Sequence, residues 1–234
     1  MGDVAMTVPV LRAFVEQNPG IKITVISRPF FKPFFDTIPT VSFFAFDEKN
    51  RHKGFLGLIR LFSDLKSLDI DAFADLHNVL RSQIIRTLFA LNGKKVAFTD
   101  KGRKEKKELT RAENKIFKPL KSMFERHTET FLKLGFSIDL SHPNFPEKQE
   151  LNVEIRNIFG VNNHKLIGIA PFAQYDSKVY PLDLMQKVID ELAQNSSYQI
   201  LLFGGGTKEI ELLNSLSKNK LNVIVVAGKL QFEQ

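Results

Sequence analysis

The sequence predicts an α/β protein with two domains, each built around a parallel sheet. Residues 166–203 indicate strand, helix and strand, because an amphipathic stretch separates two short apolar runs. In the first half, short β-branched runs alternate with helical patterns at least three times, which is typical of right-handed parallel crossovers. Residues 141–149 contain two prolines and little periodicity. We therefore expect a first domain at 1–142, a linker region at 143–164 and a second domain at 165–234.

Each element follows from a local pattern of apolar residues. The Phe-rich segment at 30–35 is interpreted as core under a short helix rather than as a lipid site. The predicted strands cover residues 22–27, 41–46, 72–76, 96–98, 166–170, 199–203 and 221–226. The predicted helices cover residues 4–15, 55–65, a segment ending at Leu91, 123–134, 150–159, 182–192 and a segment containing Ile210, Leu213 and Leu216.

The composition excludes several classes of protein. The chain has 234 residues, 43% of them hydrophobic, and no cysteine, so we expect no disulfide and no thiolate chemistry. No apolar run reaches the roughly 20 residues of a membrane-spanning helix, and the N-terminus has no signal pattern. His127 is one of five scattered histidines without metal-ligand spacing, which favours a structural or surface role over metal ligation. We expect a cytoplasmic protein that holds no metal.

Asp3 stands at the start of the first helical pattern, with no strand before it. Because an α/β domain normally enters such a helix from a strand, we expect that the first strand is missing. The chain also stops in what resembles the start of another helix, so we expect an internal fragment that is incomplete at both ends and is itself inactive. Asp3 fits the N-cap of its helix, and it fits equally a general base facing a cleft.

A glycine triplet follows the strand at 199–203, at the start of a helix. Gly204, Gly205, Gly206 and Thr207 form this turn, and Lys178 lies in the loop after the preceding strand. A helix N-terminus and a lysine at the carboxyl ends of strands suit a phosphate-bearing ligand. The alternative is a tight turn next to a solvated lysine, since the triplet matches neither the dinucleotide fingerprint nor the P-loop.

The chain has a net charge of +7, and residues 101–121 carry most of the excess, with nine Lys or Arg against three Glu. Such a segment attracts phosphates on nucleic acid, on an anionic lipid surface or on a phosphorylated acceptor. A solvated loop without a ligand is equally compatible with the charge. Only Phe117 lies among these cations as a base-stacking residue, which argues against nucleic acid.

Three stretches together resemble glycosyltransferase family 9, the lipopolysaccharide heptosyltransferases. They are MGDVAMTVPVLRAF, ADLHNVLRS, and IGIAPFAQYDSKVYPLDLMQKVIDEL followed by ILLFGGGTKE and VVAGK. The resemblance covers essentially the whole chain in the right order. It implies a GT-B fold, in which two Rossmann-like domains with parallel sheets flank the active site, and metal-independent, inverting transfer of heptose from ADP-heptose to the lipopolysaccharide inner core.

The resemblance also implies roles for individual residues. Asp3 matches the proposed catalytic base, Lys178 the contact to the donor phosphates, and Gly204, Gly205, Gly206 and Thr207 the loop beside the donor nucleotide. The acceptor would be a phosphorylated glycolipid at the inner membrane face, which would make the protein peripheral there. We expect the acceptor to be held by Gly2, Arg81, Lys104, Lys106 and Lys107. No cofactor is implied beyond the nucleotide-sugar donor.

Two alternatives remain at this point. One is a GT-B transferase or epimerase that acts on another nucleotide sugar. The other is a non-catalytic module that binds anionic ligands through the basic segment, whose binding would need phosphates alone and would weaken steeply with salt.

Overall fold

The computed structural model describes residues 1–148, 150–159 and 164–230, and it divides into two compact units. Unit 1 is Met1–Glu147 and unit 2 is Lys148–Gln234. Residues 149 and 160–163 of the predicted linker region lie outside the described residues, as do residues 231–234, where we predicted the start of a further helix.

Unit 1 alternates strands and helices, as the sequence predicts. Its strands are β1 (Ile23–Ser27), β2 (Val41–Ala45), β3 (Ala72–Asp75) and β4 (Lys95–Phe98). Its helices are α1 (Gly2–Ala5), α2 (Val8–Gln17), a 3₁₀ helix (Pro29–Phe34), α3 (Gly54–Lys66), α4 (Leu80–Leu91), α5 (Arg103–Thr110) and α6 (Met123–Lys133).

The strands of unit 1 form two separate two-stranded parallel sheets. β1 pairs with β2, with Ile23 opposite Val41, and β3 pairs with β4, with Ala72 opposite Lys95. One cluster of buried residues packs α2, the 3₁₀ helix and α6 against one face of these strands, and a second packs α3 and α4 against the other face. Helices therefore cover both faces, as in a doubly wound α/β domain.

Two elements near the N-terminus differ from the predictions. The single helix predicted over residues 4–15 is two helices, because Pro9 lacks an N–H and its ring would clash with the carbonyl of Ala5 in a continuous helix. Asp3 is therefore not an N-cap: Met1 caps α1, and Asp3 lies within its first turn. In the Phe-rich segment, Phe31 and Phe35 are core residues as predicted, whereas Phe30 is exposed.

The basic segment contains a helix that the apolar pattern does not reveal. α5 has no buried residue, and its sequence RKEKKELT offers almost no apolar side chain. Gly102 caps it at φ +61°, in the left-handed region that favours glycine. A Cβ at Gly102 would lie 2.3 Å from Nη2 of Arg126, so a larger residue would also collide with the side chain that anchors this turn.

Unit 2 is a three-stranded parallel sheet with helices on both faces. Its elements are α7 (Val153–Phe159), β5 (Lys165–Ile169), a 3₁₀ turn (Asp176–Lys178), α8 (Leu182–Ala193), β6 (Tyr198–Leu202), α9 (Gly206–Ser217) and β7 (Val223–Val225). The strand order is β5-β6-β7, with Ile200 opposite Val223. Ile189 of α8 and Leu213 of α9 are fully buried against one face, and Ile155 and Phe159 of α7 pack on the other.

Candidate active site

The carboxyl ends of the parallel strands carry the polar residues in both units. In unit 1, the chain leaves β3 at Asp75 and β4 at Phe98 and runs into loops that lead to α4 and α5. In unit 2, the chain leaves β5 toward Lys178 and β6 toward the glycine triplet. Ligands of α/β proteins bind outside such edges, so both edges are candidate sites.

A buried carboxylate organises the loop after β3. Asp75 accepts a hydrogen bond from the N–H of Asn78 at 2.6 Å and forms an ion pair with Arg86 at 3.1 Å. Asn78 has φ +44°, and its amide donates to the carbonyl oxygen of Thr99 at 2.9 Å. The loops after β3 and β4 are thus joined by side chains, which fixes the backbone that carries His77.

A directed chain of hydrogen bonds sets the tautomer of His127. Thr130 donates its hydroxyl hydrogen to the carbonyl of Arg126 at 2.9 Å, so it accepts from the hydroxyl of Thr99 at 2.8 Å. Thr99 has no second hydrogen, so it accepts from Nδ1–H of His127 at 3.2 Å. Nε2 of His127 is consequently an unprotonated acceptor, and it is buried without a hydrogen-bond partner among the described residues.

Burial keeps His127 neutral. The side chain is 2% exposed, and desolvation lowers its pKa to about 4, while Asp3 acts in the opposite direction and Lys101 in the same one. His127 is therefore a structural residue of the core, as the sequence suggested.

Asp3 interacts electrostatically with His77, which follows β3 at the carboxyl end of the unit 1 strands. Burial lowers the pKa of His77, the Lys101 ammonium lowers it further, and the carboxylates of Asp3 and Asp75 raise it. Asp3 itself is exposed and has no hydrogen bond or ion pair among the described residues. An accessible carboxylate with free lone pairs, which interacts electrostatically with a histidine whose pKa burial lowers, has the properties of a general base.

The predicted acceptor residues in unit 1 have two different environments. Arg81 forms an ion pair with Glu48 at 2.7 Å, and Glu48 also pairs with Arg28 at 3.4 Å. The Arg81 guanidinium, followed by that of Arg28, lowers the pKa of Glu48 below its usual value. Gly2 precedes Asp3 in α1. The space that a side chain at position 2 would occupy is open, with no atom within 4 Å of the Cβ position.

Lys104, Lys106 and Lys107 lie on α5, exposed and without an ion pair among the described residues. A buried arginine anchors this helix: Arg126 is 3% exposed and donates to Glu105 at 2.5 Å, to the carbonyl of Asp100 at 3.1 Å and to the carbonyl of Lys121 at 3.2 Å. The basic residues are thus presented from a fixed helix rather than from a solvated loop.

In unit 2, the loop after β5 presents Lys178 to solvent. Lys178 lies in the 3₁₀ turn, exposed, with Nζ 5.5 Å from the ring centroid of Tyr175. The ring carries no net charge, so this cation–π contact does not neutralise the ammonium, and Lys178 is still able to bind an anion.

The glycine loop after β6 is exposed to solvent, but the space around Gly204 is closely packed. A Cβ on Gly204 would lie 3.0 Å from Leu213, 3.1 Å from Glu209 and 3.4 Å from Phe172, which requires a small residue there. Gly206 has φ +75° and begins α9. The N–H of Gly205 is not free, because it donates to the Glu209 carboxylate at 2.8 Å. The amides of Gly206 and Thr207 have no acceptor in the described part of the chain.

Sequence reasoning did not identify Asp75 and Thr99 as parts of the unit 1 edge, and it noted Lys101 only as part of the basic segment 101–121. A carboxylate at the end of the apolar run AFAD was the available signal for Asp75, since a charge in a buried strand needs a partner. Thr99 carries no such signal, because its partners His127 and Thr130 are far away in sequence.

No group of three His, Asp or Glu side chains is placed to hold a metal ion within residues 1–148, 150–159 and 164–230. Over the same ranges, no helix has the length and apolar character needed to cross a membrane.

The fold is that of known sugar transferases. A family 9 glycosyltransferase from Veillonella parvula DSM 2008 aligns with a TM-score of 0.73 and 19% identity, over 98% of this chain and 67% of that one. Escherichia coli heptosyltransferase WaaC with ADP-2-deoxy-2-fluoro heptose aligns with a TM-score of 0.67 and 20% identity, over 99% and 74%. Escherichia coli ADP-heptose lps heptosyltransferase II gives 0.64 and 19%, over 98% and 70%. The two α/β units therefore have the GT-B fold of these enzymes.

The sequence identifies the family within this fold class. Residues 58–234 match the family described as glycosyltransferase family 9 (heptosyltransferase). No curated protein gives a significant match to the sequence. Because the family match covers more than half of the chain, the chain belongs to glycosyltransferase family 9, and the enzyme class predicted from its motifs is confirmed.

Proposed function

We propose that the protein transfers heptose from ADP-heptose to the phosphorylated inner core of lipopolysaccharide, with inversion at the anomeric carbon. Family membership supports the type of reaction. The names of two similar structures, a heptosyltransferase bound to an ADP-heptose analogue and an ADP-heptose transferase, support the donor. The observation that carries the proposal is Asp3, an accessible carboxylate without a hydrogen-bond partner among the described residues, at the edge where His77 and Lys101 also lie.

In this mechanism Asp3 is the general base. Its carboxylate takes the proton from an acceptor hydroxyl, the hydroxyl oxygen attacks the anomeric carbon, and the bond from that carbon to the diphosphate breaks. The leaving ADP gains negative charge on its terminal phosphate. His77, whose pKa is lowered chiefly by burial and which interacts electrostatically with Asp3, is proposed to orient the hydroxyl.

The donor site is proposed in unit 2. Lys178 is the only cation of the 3₁₀ turn and is exposed, so its ammonium is available to neutralise the leaving diphosphate. The unpaired amides of Gly206 and Thr207 at the start of α9 supply further donors, while Gly204 and Gly205 let the backbone approach the nucleotide. The donor is proposed to be the only small molecule required, without a metal or another cofactor.

The acceptor site is proposed in unit 1, at Gly2, Arg81, Lys104, Lys106 and Lys107. The three lysines support it most directly, because they are exposed and unpaired within the described residues and α5 holds them in place. Arg81 would exchange Glu48 for an acceptor phosphate. Such an acceptor is a glycolipid, so we place the reaction at the cytoplasmic face of the inner membrane, with the protein bound peripherally.

The test is transfer by the full-length protein from ADP-heptose to a deacylated inner-core acceptor, with and without a metal chelator. We expect chelator-independent transfer that falls by at least about a hundredfold in Asp3→Asn, since a general base contributes about 10²- to 10⁴-fold. Asp36→Asn is the matched control, because Asp36 is an exposed carboxylate paired with Lys32. Transfer from another nucleotide sugar in preference to ADP-heptose would overturn the donor assignment, and unchanged rates in Asp3→Asn would overturn the base.

A further inference from the structure

Large apolar side chains are exposed together at the N-terminal ends of α3 and α4. Phe55 is 66% exposed, Leu56 is 70% exposed and Leu80 is 74% exposed. Ile59, one turn along α3, is exposed as well. We call these four residues the α3–α4 patch. Contiguous exposed apolar surface on a protein marks an interaction site more often than chance.

The patch is a second apolar face that the core does not use. Leu58, Leu61 and Leu65 form the buried face of α3, whereas Phe55, Leu56 and Ile59 point away from it. A groove of about 360 Å³ continues the patch between the two helices. Its lining residues are Phe55, Ile59, Leu80, Gln83, Ile84, Thr87 and Leu88.

The patch lies at the same edge of unit 1 as the candidate acceptor residues. α3 and α4 both begin after strands that end at this edge, β2 and β3. The ion pair between Glu48, which precedes α3, and Arg81, which follows Leu80, joins the two loops directly at 2.7 Å. A surface that contacts the patch therefore also lies close to Arg81, one of the proposed acceptor residues.

Among the described residues 47–64, the charged side chains without a partner are all positive. Lys49, Lys53 and Arg60 are exposed and have no ion pair among the described residues. The acidic side chains of residues 47–64 already have hydrogen-bond or ion-pair partners. Glu48 is paired with two arginines, Asp64 is paired with Arg51 and His52, and Asp47 accepts backbone N–H bonds from residues 49–51.

We propose that the α3–α4 patch docks unit 1 on an anionic bilayer, with Phe55, Leu56 and Leu80 in the headgroup region. Lys49, Lys53 and Arg60 then contact lipid phosphates, as the cations of an interfacial helix do. A second copy of the chain is a poorer occupant, because these unpaired cations would face a molecule that also has a net charge of +7. The proposal deepens the proposed function and rests on its lipid-linked acceptor.

The absence of tryptophan from the sequence makes a sharp test available. Single variants Phe55→Trp and Leu56→Trp report on the patch, and Leu132→Trp is the matched control, since Leu132 is 61% exposed on α6. The probe is a vesicle of phosphatidylethanolamine and phosphatidylglycerol, with phosphatidylcholine vesicles for comparison. We expect anionic vesicles to shift the emission of both patch variants to the blue and brominated lipids to quench it, with neither effect in Leu132→Trp.

A second measurement uses flotation of the protein with the same vesicles. The triple variant Phe55→Ser, Leu56→Ser, Leu80→Ser should partition at least about tenfold less, because three apolar side chains no longer insert. Lys53→Glu with Arg60→Glu should weaken binding to anionic vesicles alone. Unaltered partitioning of the triple variant would overturn the proposal. A blue shift that needs no vesicles and grows with protein concentration would also overturn it, by assigning the patch to a second copy.

These experiments contain neither donor nor acceptor, so their failure removes the docking surface and leaves the proposed transfer reaction standing. Conversely, transfer to a deacylated acceptor needs no membrane. If the protein still binds vesicles but shows no transfer, the proposed function is wrong and the docking surface is retained.

Discussion

The two strand edges that carry the candidate residues, one in each unit, are built in different ways. In unit 1, buried side chains hold the edge: Asp75 pairs with Arg86, Thr99 bonds to His127, and Arg126 ties the basic segment to α6. In unit 2, the edge consists of exposed loops, a cation over an aromatic ring and glycines whose backbone is accessible. In unit 1, buried side-chain contacts fix the edge, whereas in unit 2 the edge consists mainly of exposed loop backbone.

This difference predicts how mutations will separate stability from function. A buried charged group that loses its partner costs folding free energy, whereas an exposed side chain contributes little to stability. Substitutions of the buried side chains at the unit 1 edge should therefore unfold the protein before they reveal a role in binding. Substitutions at the unit 2 edge should alter affinity for a nucleotide and leave the fold intact.

The largest effect is expected for Arg126→Met. The change leaves Glu105 without its cation and two carbonyls without their donor, so we expect a loss of about 3 kcal/mol in the free energy of unfolding. Urea denaturation measures the loss, and faster proteolysis within residues 103–118 would show that α5 is released. Lys178→Met makes the same chemical change at the unit 2 edge and should alter stability by less than about 0.5 kcal/mol. Equal losses of unfolding free energy in the two variants would contradict the proposed difference between the two edges.

The next effect is a dependence of stability on pH through His127. Its pKa is about 4 in the folded protein and about 6.5 when unfolded, so the unfolded state binds the extra proton first as the pH falls. Stability should be complete above pH 6.5 and should decrease by about 2 kcal/mol on going from pH 7 to pH 5.

His127→Asn tests the assignment, since an amide can still donate to Thr99 but does not titrate. Denaturation at several pH values should show a shallower slope between pH 6.5 and pH 4 in this variant than in the parent. His77 titrates in the same direction and will leave part of the slope. An unchanged slope would mean that His127 is protonated to the same extent in both states.

The smallest effects are expected at the unit 2 edge and concern ligand affinity. Lys178→Ala should weaken ADP binding about tenfold, equivalent to about 1.4 kcal/mol, through the loss of one cation–phosphate contact. Glu209→Gln should strengthen it a few-fold, because the Gly205 N–H no longer faces a competing carboxylate. Titration calorimetry measures both. Lys187→Ala, on α8, is the control for the loss of a lysine from unit 2.

Much of the fold could be predicted because its elements depend on local patterns. Apolar runs such as 199–203 and helical spacings such as 182–192 mark elements whose observed bounds are close to those expected. The glycine triplet and Lys178 were located for the same reason, since each directly follows a recognisable strand. Their roles in donor binding stay predictions, as does the role of Asp3.

By itself, then, the sequence determined the α/β class, the order of most elements and the family, because periodicity and motifs are properties of neighbouring residues. Tertiary structure decided the rest. It placed Thr99 against His127 and Glu105 against Arg126, pairs separated by 28 and 21 positions, and through the second pair it anchored a helix with almost no apolar residue of its own. It also left Phe55 and Leu80 uncovered, which no pattern can show, since periodicity marks an apolar face but not what packs on it.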